Sequence, residues 1–266
     1  MTAAQCSSDI GRGLKNPDGG FARDWVQFHV RNVERLSVRR LAAAYRCTYL
    51  NHRTLSAMRW ILDAGCGGGF FVRYLEQSGL PVSYVGIDRS TASVSAARAR
   101  FPQQPFLLAD VQQLPFEANR FDLAYARDVV IHAPAPYQAL NELYRVARHM
   151  VLRIRVAEIP SLFTARYRQR EFVHHFFPLH EMVKVLQALA PAPRWIRYTV
   201  NTWRRRPFDP TQFRHPAPFS SYCAADLFIA KGPPENTITR VMDDTSYSVL
   251  QAVRRRLQSG LSFVVA

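Results

Sequence analysis

The chain has 266 residues, 48% of them hydrophobic, which is enough to bury one substantial α/β core with attachments and excludes disorder over the whole length. No apolar run approaches the ~18 residues of a membrane span, and residues 1–8 lack the charged-then-apolar pattern of a leader, so a cytoplasmic location is expected. The formal charge of +15 points toward phosphate-bearing partners, yet only Lys15, Lys184 and Lys231 among the 35 basic residues are lysines, a skew that base composition produces as easily as selection for nucleic acid.

The arginine runs at 204–206 and 254–256 read first as solvated faces, with phosphate or carboxylate binding as the functional alternative. Cys6, Cys47, Cys66 and Cys223 are scattered without metal-ligand spacing, so free thiols are expected rather than a disulfide framework. No metal site is expected either. His174, His175 and His180 do not have the spacing of a ligand set and read as a polar surface cluster.

In chain order, residues 1–20 are polar and glycine-dotted and read as a flexible tail. Residues 21–55 turn helical, with Trp25, Phe28, Val33, Leu36 and Leu41 recurring at three-to-five-residue spacing. Then Trp60-Ile61-Leu62-Asp63-Ala64 breaks into Gly65-Cys66-Gly67-Gly68-Gly69 and resumes as Phe70-Phe71-Val72-Arg73-Tyr74-Leu75, which predicts a buried strand, a tight turn and a helix. Glycines permit positive φ and a close ligand, and the helix that follows offers its unpaired N–H groups to that ligand. A dinucleotide fingerprint would need a glycine where Phe70 stands, and a P-loop would need Lys followed by Ser or Thr.

What remains is acid-x-Gly-x-Gly-x-Gly, filled by Asp63, Gly65, Gly67 and Gly69, and it resembles the first motif of class I S-adenosylmethionine-dependent methyltransferases. That resemblance covers about residues 55–231. It implies a Rossmann-like α/β fold: a seven-stranded, mostly parallel sheet, helices on both faces, and an antiparallel last strand. It implies S-adenosyl-L-methionine as cofactor. In such proteins the N-terminal helices often cover the cofactor, which makes residues 21–55 a helical lid and Trp25, His29, Tyr45 and His52 candidates for substrate contact, with ordinary packing as the plainer reading.

The next strand runs into Asp88 and Arg89, placing a carboxylate at its carboxyl end, where it can accept hydrogen bonds from both ribose hydroxyls. N-capping the following helix is the structural alternative for Asp88, although Ser90 or Thr91 can serve instead. The third strand, near residues 105–110, again ends in an acid. The resemblance implies that Asp110 accepts from the adenine amino group and that Val111 packs on the ring. After the fourth strand, residues 126–132 carry Ala126, Arg127 and His132, and within the resemblance this segment passes beneath the methionine end of the cofactor and faces the nucleophile. It has neither the Asn/Asp-Pro-Pro-Tyr/Phe box of amino-methylating nucleic-acid enzymes nor the Pro-Cys pair of pyrimidine-carbon enzymes. It is similar instead to the loop of small-molecule methyltransferases of the type 11 and type 25 groupings. His132 is the candidate base, with loop support as its alternative role.

A helix after Pro136, a fifth strand at residues 150–156, a helix at 179–190 and two strands at 195–202 and 222–230 complete the core. Substrate-specific insertions are expected at about 158–177 and 204–221, the methyltransferase domain at 56–231, and a C-terminal extension at 232–266 with a basic helix at 246–257. The expected reaction is transfer of a methyl group to an O or N atom of a small molecule, with Arg127 and the insertion arginines available for an anionic substrate. An RNA or protein methyltransferase, or a non-catalytic cofactor-binding descendant, are the alternatives.

Overall fold

A computed structural model describes residues 50, 52–167, 170–200, 206–208, 211, 219–232 and 237–240. The proposed tail, most of the proposed lid (with Trp25, His29 and Tyr45), most of the 204–221 insertion and the 246–257 helix lie outside these residues, and so does the side chain of His52.

A short helix α1 (His52–Ser56) leads into β1 (Trp60–Ala64), α2 (Phe70–Gln77), β2 (Ser83–Asp88), α3 (Thr91–Arg100), β3 (Phe106–Leu108) and β4 (Phe121–Arg127). A 3-10 turn at Val130–His132 follows, then α4 (Pro136–Val146), β5 (Ala147–Val156), β6 (Ser161–Tyr167), β7 (Arg170–Phe176), α5 (Leu179–Gln187), β8 (Trp195–Val200), β9 (Arg206–Pro207), β10 (Ser221–Ala230) and β11 (Thr237–Arg240). The main sheet has the order β11-β8-β10-β5-β4-β1-β2-β3, with β9 paired to β10. β3, β2, β1, β4 and β5 run parallel, while β10 runs antiparallel to both β5 and β8.

The expected Rossmann-like fold is therefore present. Among the described residues its seven-stranded sheet is widened to nine, and one expectation needs correction. The stretch after residue 232, read as lying outside the minimal fold, supplies β11, which pairs in parallel with β8 from Thr237 opposite Trp195 to Arg240 opposite Tyr198. Thr-Ile-Thr is a β-branched run, and β8 without it would expose an open edge. The insertion expected after β5 holds a β-hairpin, β6 on β7.

Burial explains the alternation of elements. Leu62, Ala124, Met150, Leu152, Ile154, Leu227 and Ile229 face one side of the sheet and pack with Leu140 and Leu143 of α4 and Met182 and Leu186 of α5. Ile61, Leu123, Tyr125, Val151 and Phe228 face the other side and meet Phe71, Val72 and Leu75 of α2 and Val94 and Ala97 of α3. Strands buried on both faces read as near-continuous apolar runs, as Ile61-Leu62 and Leu123-Ala124-Tyr125-Ala126 do. α2 ends where Gly79 takes φ 62°, and α4 begins at Pro136, whose fixed φ suits a first helical position. Strand order reverses at β1, with β2 on one side and β4 on the other. Open α/β sheets bind ligands in the crevice at such a switch point.

Candidate functional site

At the carboxyl tip of β1 the backbone swings across to β2: the N–H groups of Gly65 and Cys66 both donate to the Ile87 carbonyl, each at 2.8 Å. Gly65, Gly67 and Gly69 all take positive φ, at 76°, 54° and 81°. The three are glycines for different reasons. A Cβ on Gly65 would lie 2.3 Å from Val129 Cγ2, and one on Gly69 would meet Phe101 at 2.8 Å, whereas one on Gly67 would find only the Phe70 ring at 3.8 Å. Gly67 is thus not crowded by side chains, and its positive φ is what calls for glycine.

Gly65→Ala is expected to lower unfolding free energy by about 2–4 kcal/mol, from left-handed strain plus the overlap with Val129. Adding Val129→Ala should remove the steric share and leave about 1–2 kcal/mol of torsional cost. Denaturant unfolding of the two variants separates these contributions.

Asp88 ties the turn to the second strand. Its Oδ2 accepts from Gly67 N–H at 3.0 Å and its Oδ1 from Ser90 N–H at 2.8 Å. Ser90, not Asp88, caps α3, its hydroxyl accepting from Ser93 N–H at 3.2 Å. Burial pushes the Asp88 carboxyl above its ordinary range, partly offset by the Ser90 and Gly67 hydrogen bonds and by the neighbouring Arg89 charge. Asp63 is only 4% exposed, and Tyr84 Oη donates to its Oδ2 at 2.7 Å. Burial, with a smaller push from the Asp88 charge, raises its pKa to about 7 against the opposing Tyr84 hydrogen bond. Cys66, buried in the turn beside both acids, has its thiol pushed up by burial and then by their charges.

Asp110 sits at the tip of β3 but takes no direct part in the turn. It is exposed, and its Oδ1 accepts from Gln112 N–H at 2.9 Å. Gln112 in turn fastens this loop to the one before α4, because Ala135 N–H donates to Gln112 Oε1 at 2.6 Å. Val111 is buried in the core cluster beneath. Ala126 is fully buried at the level of Ala64, its register partner, and Arg127 lies beside Asp128 at 3.9 Å.

The segment after β4 is held in an unusual shape. Asp128 has φ 55°, its N–H donates to the Arg153 carbonyl at 3.1 Å, and its Oδ1 faces Arg155 Nη2 at 3.2 Å. Val129 can then cover Gly65, and the 3-10 turn sets His132 against β7. His132 Nδ1 lies 2.8 Å from the Val173 carbonyl of β7. A carbonyl only accepts, so Nδ1 carries the proton and the lone pair is on Nε2. Burial is the main reason its pKa falls to about 4, outweighing the Val173 hydrogen bond and the Asp128 charge. His132 is therefore neutral at physiological pH.

The hairpin wraps this histidine. Phe172 and His174 set their rings 5.1 and 5.0 Å from that of His132, and His175 Nε2 lies 2.9 Å from the Ala133 carbonyl. The expectation that His174 and His175 form a polar surface cluster is corrected: both are half-buried, His174 with its ring against that of His132 and His175 with Nε2 at the Ala133 carbonyl, while His180 on α5 stays exposed. Among the described residues no group of His, Cys, Asp and Glu is arranged to hold a metal. Cys66 and Cys223 are free thiols. No helix among the described residues is long and apolar enough to cross a membrane.

Sequence reasoning brought together Asp63, the glycines and Asp88, and missed Tyr84, Val129, Gln112 and the hairpin residues 172–174. Tyr84 was within reach, since alternation along β2 puts it on the same face as the helix-covered side. Val173 acts through its main chain, which leaves no side-chain signal.

Comparison with known proteins adds an independent line. Residues 62–150 match the family model described as a methyltransferase domain. The malonyl-[acyl-carrier protein] O-methyltransferase of Salmonella typhimurium is 40% identical over 88 residues, 33% of this chain and 34% of that protein, and that of Legionella pneumophila is 37% identical over 93 residues, again 34% of this chain and 33% of its own. The match thus spans about a third of the length of these curated relatives. Among solved structures, the N-terminal domain of EvdMO1 with SAH bound superposes with a TM-score of 0.53 at 13% identity, covering 87% of this chain and 98% of that one. Such a likeness speaks to the fold alone. The strand order, the glycine turn and the sequence match over residues 62–150 agree in marking that stretch as a methyltransferase domain, similar to those of the class I S-adenosylmethionine-dependent methyltransferases.

Proposed function

We propose that this chain binds S-adenosyl-L-methionine over the glycine turn and transfers its methyl group to an O or N atom of a small-molecule acceptor. The observation that carries the reading is the join between the turn and the β2 tip: Gly67 N–H on Asp88, in a turn that side chains do not crowd at Gly67. In this reading Asp63, Gly65, Cys66, Gly67 and Gly69 cradle the methionine end, Asp88 and Arg89 serve the ribose, Asp110 and Val111 the adenine, and Ala126 and Arg127 underlie the transfer point. A small acceptor is supported by what the relatives act on, an acyl-carrier-bound malonyl group in one case. Haemonchus contortus phosphoethanolamine N-methyltransferase 2, whose structure has a TM-score of 0.50 with this chain at 16% identity and 66% coverage, was crystallised with a phosphorylated amine. In this reading Arg127 and Arg155, which lie beside Asp128, would meet an anionic group on such a molecule.

The cofactor supplies a methyl on a positive sulfur, so the protein's work is to align a nucleophile with the C–S bond and exclude water. His132 contributes a neutral Nε2 that can take the acceptor's proton as the new bond forms. His132→Asn retains a donor for the Val173 carbonyl and removes Nε2, which separates chemistry from loop support. On the acceptor found by labelling, this variant is expected to bind cofactor as the parent does and to lose about a hundredfold in kcat. Loss within about threefold would leave His132 as loop support only. The wild-type rate should be flat at neutral pH and fall as pH drops through about 4, where the depressed pKa lets Nε2 protonate.

The experiment that tests the whole reading is incubation with methyl-labelled cofactor and an extract of the host, using Asp88→Ala as control. Label in metabolites supports it. Label in RNA or protein would transfer the activity to a macromolecular acceptor and the arginine-rich surface, and no label above the control would overturn it.

A further inference from the structure

Asp63 is a carboxylate with almost no exposure, one hydrogen bond to its side chain and, among the described residues, no Lys or Arg paired with it. Among the described residues its surroundings are acidic or neutral. Tyr84 and Asp88 approach from β2, Cys66 from the turn, and Tyr125 stands opposite it on β4. Arg89 acts on Asp88 rather than on Asp63. Burial in such company disfavours the charged form of a carboxylate, and a cation that comes close favours it.

We propose, resting on the cofactor reading above, that Asp63 is the residue by which this chain tells the sulfonium cofactor from its neutral-sulfur product, its carboxylate ionising when the cation enters and taking back a proton when the charge is gone. In the transfer step a lone pair of the acceptor forms the new bond to the methyl carbon, and the C–S electron pair goes to sulfur. Sulfur becomes an uncharged thioether, and the acceptor loses its own proton to a base or to water. The α-ammonium group persists through the reaction, so the charge that vanishes is the sulfonium's alone. Asp63 then recovers a proton from solvent, which removes a favourable interaction from the product complex and none from a fresh cofactor complex. Backbone N–H groups of Gly67 and Ser90 and the Arg89 charge oppose the effect of burial on Asp88, whereas for Asp63 the Tyr84 hydroxyl alone does so among the described residues.

A pKa of about 7 for the unliganded acid sets the range in which the effect is read. Titration calorimetry with S-adenosylmethionine and S-adenosylhomocysteine on the full chain should show the ratio of product to cofactor dissociation constants rising about tenfold between about pH 5.5 and about pH 8.5. Near neutrality, buffers of differing ionisation heat should reveal more proton release with the cofactor than with the product. Asp63→Asn, which can still accept from Tyr84, should give a ratio that no longer varies with pH. Tyr84→Phe removes the hydrogen bond that favours the charged form and should move the rise to higher pH; it carries the test if the Asn variant fails to fold. A pH-independent ratio in the wild type, or a rise that survives in Asp63→Asn, overturns the proposal. Absence of binding by both compounds at every pH would defeat the cofactor reading itself, whereas tight binding with a flat ratio defeats only this inference.

Discussion

Asp226→Ala is expected to lower the free energy of unfolding by about 3–5 kcal/mol, a large share of what a domain of this size has. Arg153 and Asp226 are register partners on β5 and β10, joined by two parallel hydrogen bonds of 2.7 Å, Nε to Oδ1 and Nη2 to Oδ2. Their side chains are 14% and 4% exposed, so solvent does little screening. Burial opposes the charge on Arg153, and the Asp226 hydrogen bonds and charge, with Asp128 adding to them, overcome it. Truncating the acid leaves that guanidinium largely uncompensated inside the protein. The comparison variant Arg153→Met with Asp226→Leu removes both charges and fills the space, and it should unfold within about 2 kcal/mol of the parent. Urea titration of the two variants decides the matter: a loss below about 1 kcal/mol for Asp226→Ala would mean the pair is screened like one on the surface.

The same pair reaches the site through the main chain. The Arg153 carbonyl accepts from Asp128 N–H, and Asp128 is the left-handed residue that turns the post-β4 segment so that Val129 covers Gly65. A β5 held firmly to β10 therefore fixes a loop on the opposite flank of the strand it borders.

This coupling also shows what a sequence can and cannot reveal. The turn at residues 63–69 was legible because positive φ at alternate positions leaves glycines in the text, and the strands on either side were legible because burial on both faces produces unbroken apolar runs. The acids at 63 and 88 were legible because strand ends fall at predictable places. The acid at 110 was placed at its strand tip correctly, but its side chain turns to Gln112, a local choice that spacing does not encode. The hairpin at 161–176 was opaque. Its charged and aromatic residues suggest exposure, and its partner is a short turn more than 25 residues upstream, so nothing local announces that Val173 and His174 will enclose His132. β11 was opaque for a similar reason, since four residues beyond a Pro-Pro break form a strand only because β8 offers an edge.

Asp88→Ala should weaken binding of S-adenosylmethionine at least about a hundredfold, the loss expected when hydrogen bonds to a charged acceptor disappear. Each Asp88 oxygen already accepts one backbone N–H, from Gly67 and from Ser90. A carboxylate has about four acceptor positions, so the backbone N–H groups of Gly67, Ser90 and Arg89 leave capacity for a ribose hydroxyl. The backbone bonds orient the group in advance, which spares the ligand that cost. The same variant also unties the glycine turn, so affinity alone does not separate contact from shaping. Product analogues lacking the 2′- and 3′-hydroxyls do: the wild type should prefer the ribose form strongly, and Asp88→Ala should show almost no preference. Asp88→Asn, with one acceptor oxygen left, should fall between them. As pH drops through the raised carboxyl pKa, the wild type should lose its preference in the same way, because a protonated Asp88 gives up acceptor capacity. A preference that persists in Asp88→Ala would mean that the ribose is read elsewhere and that this acid serves only to hold Gly67 in place.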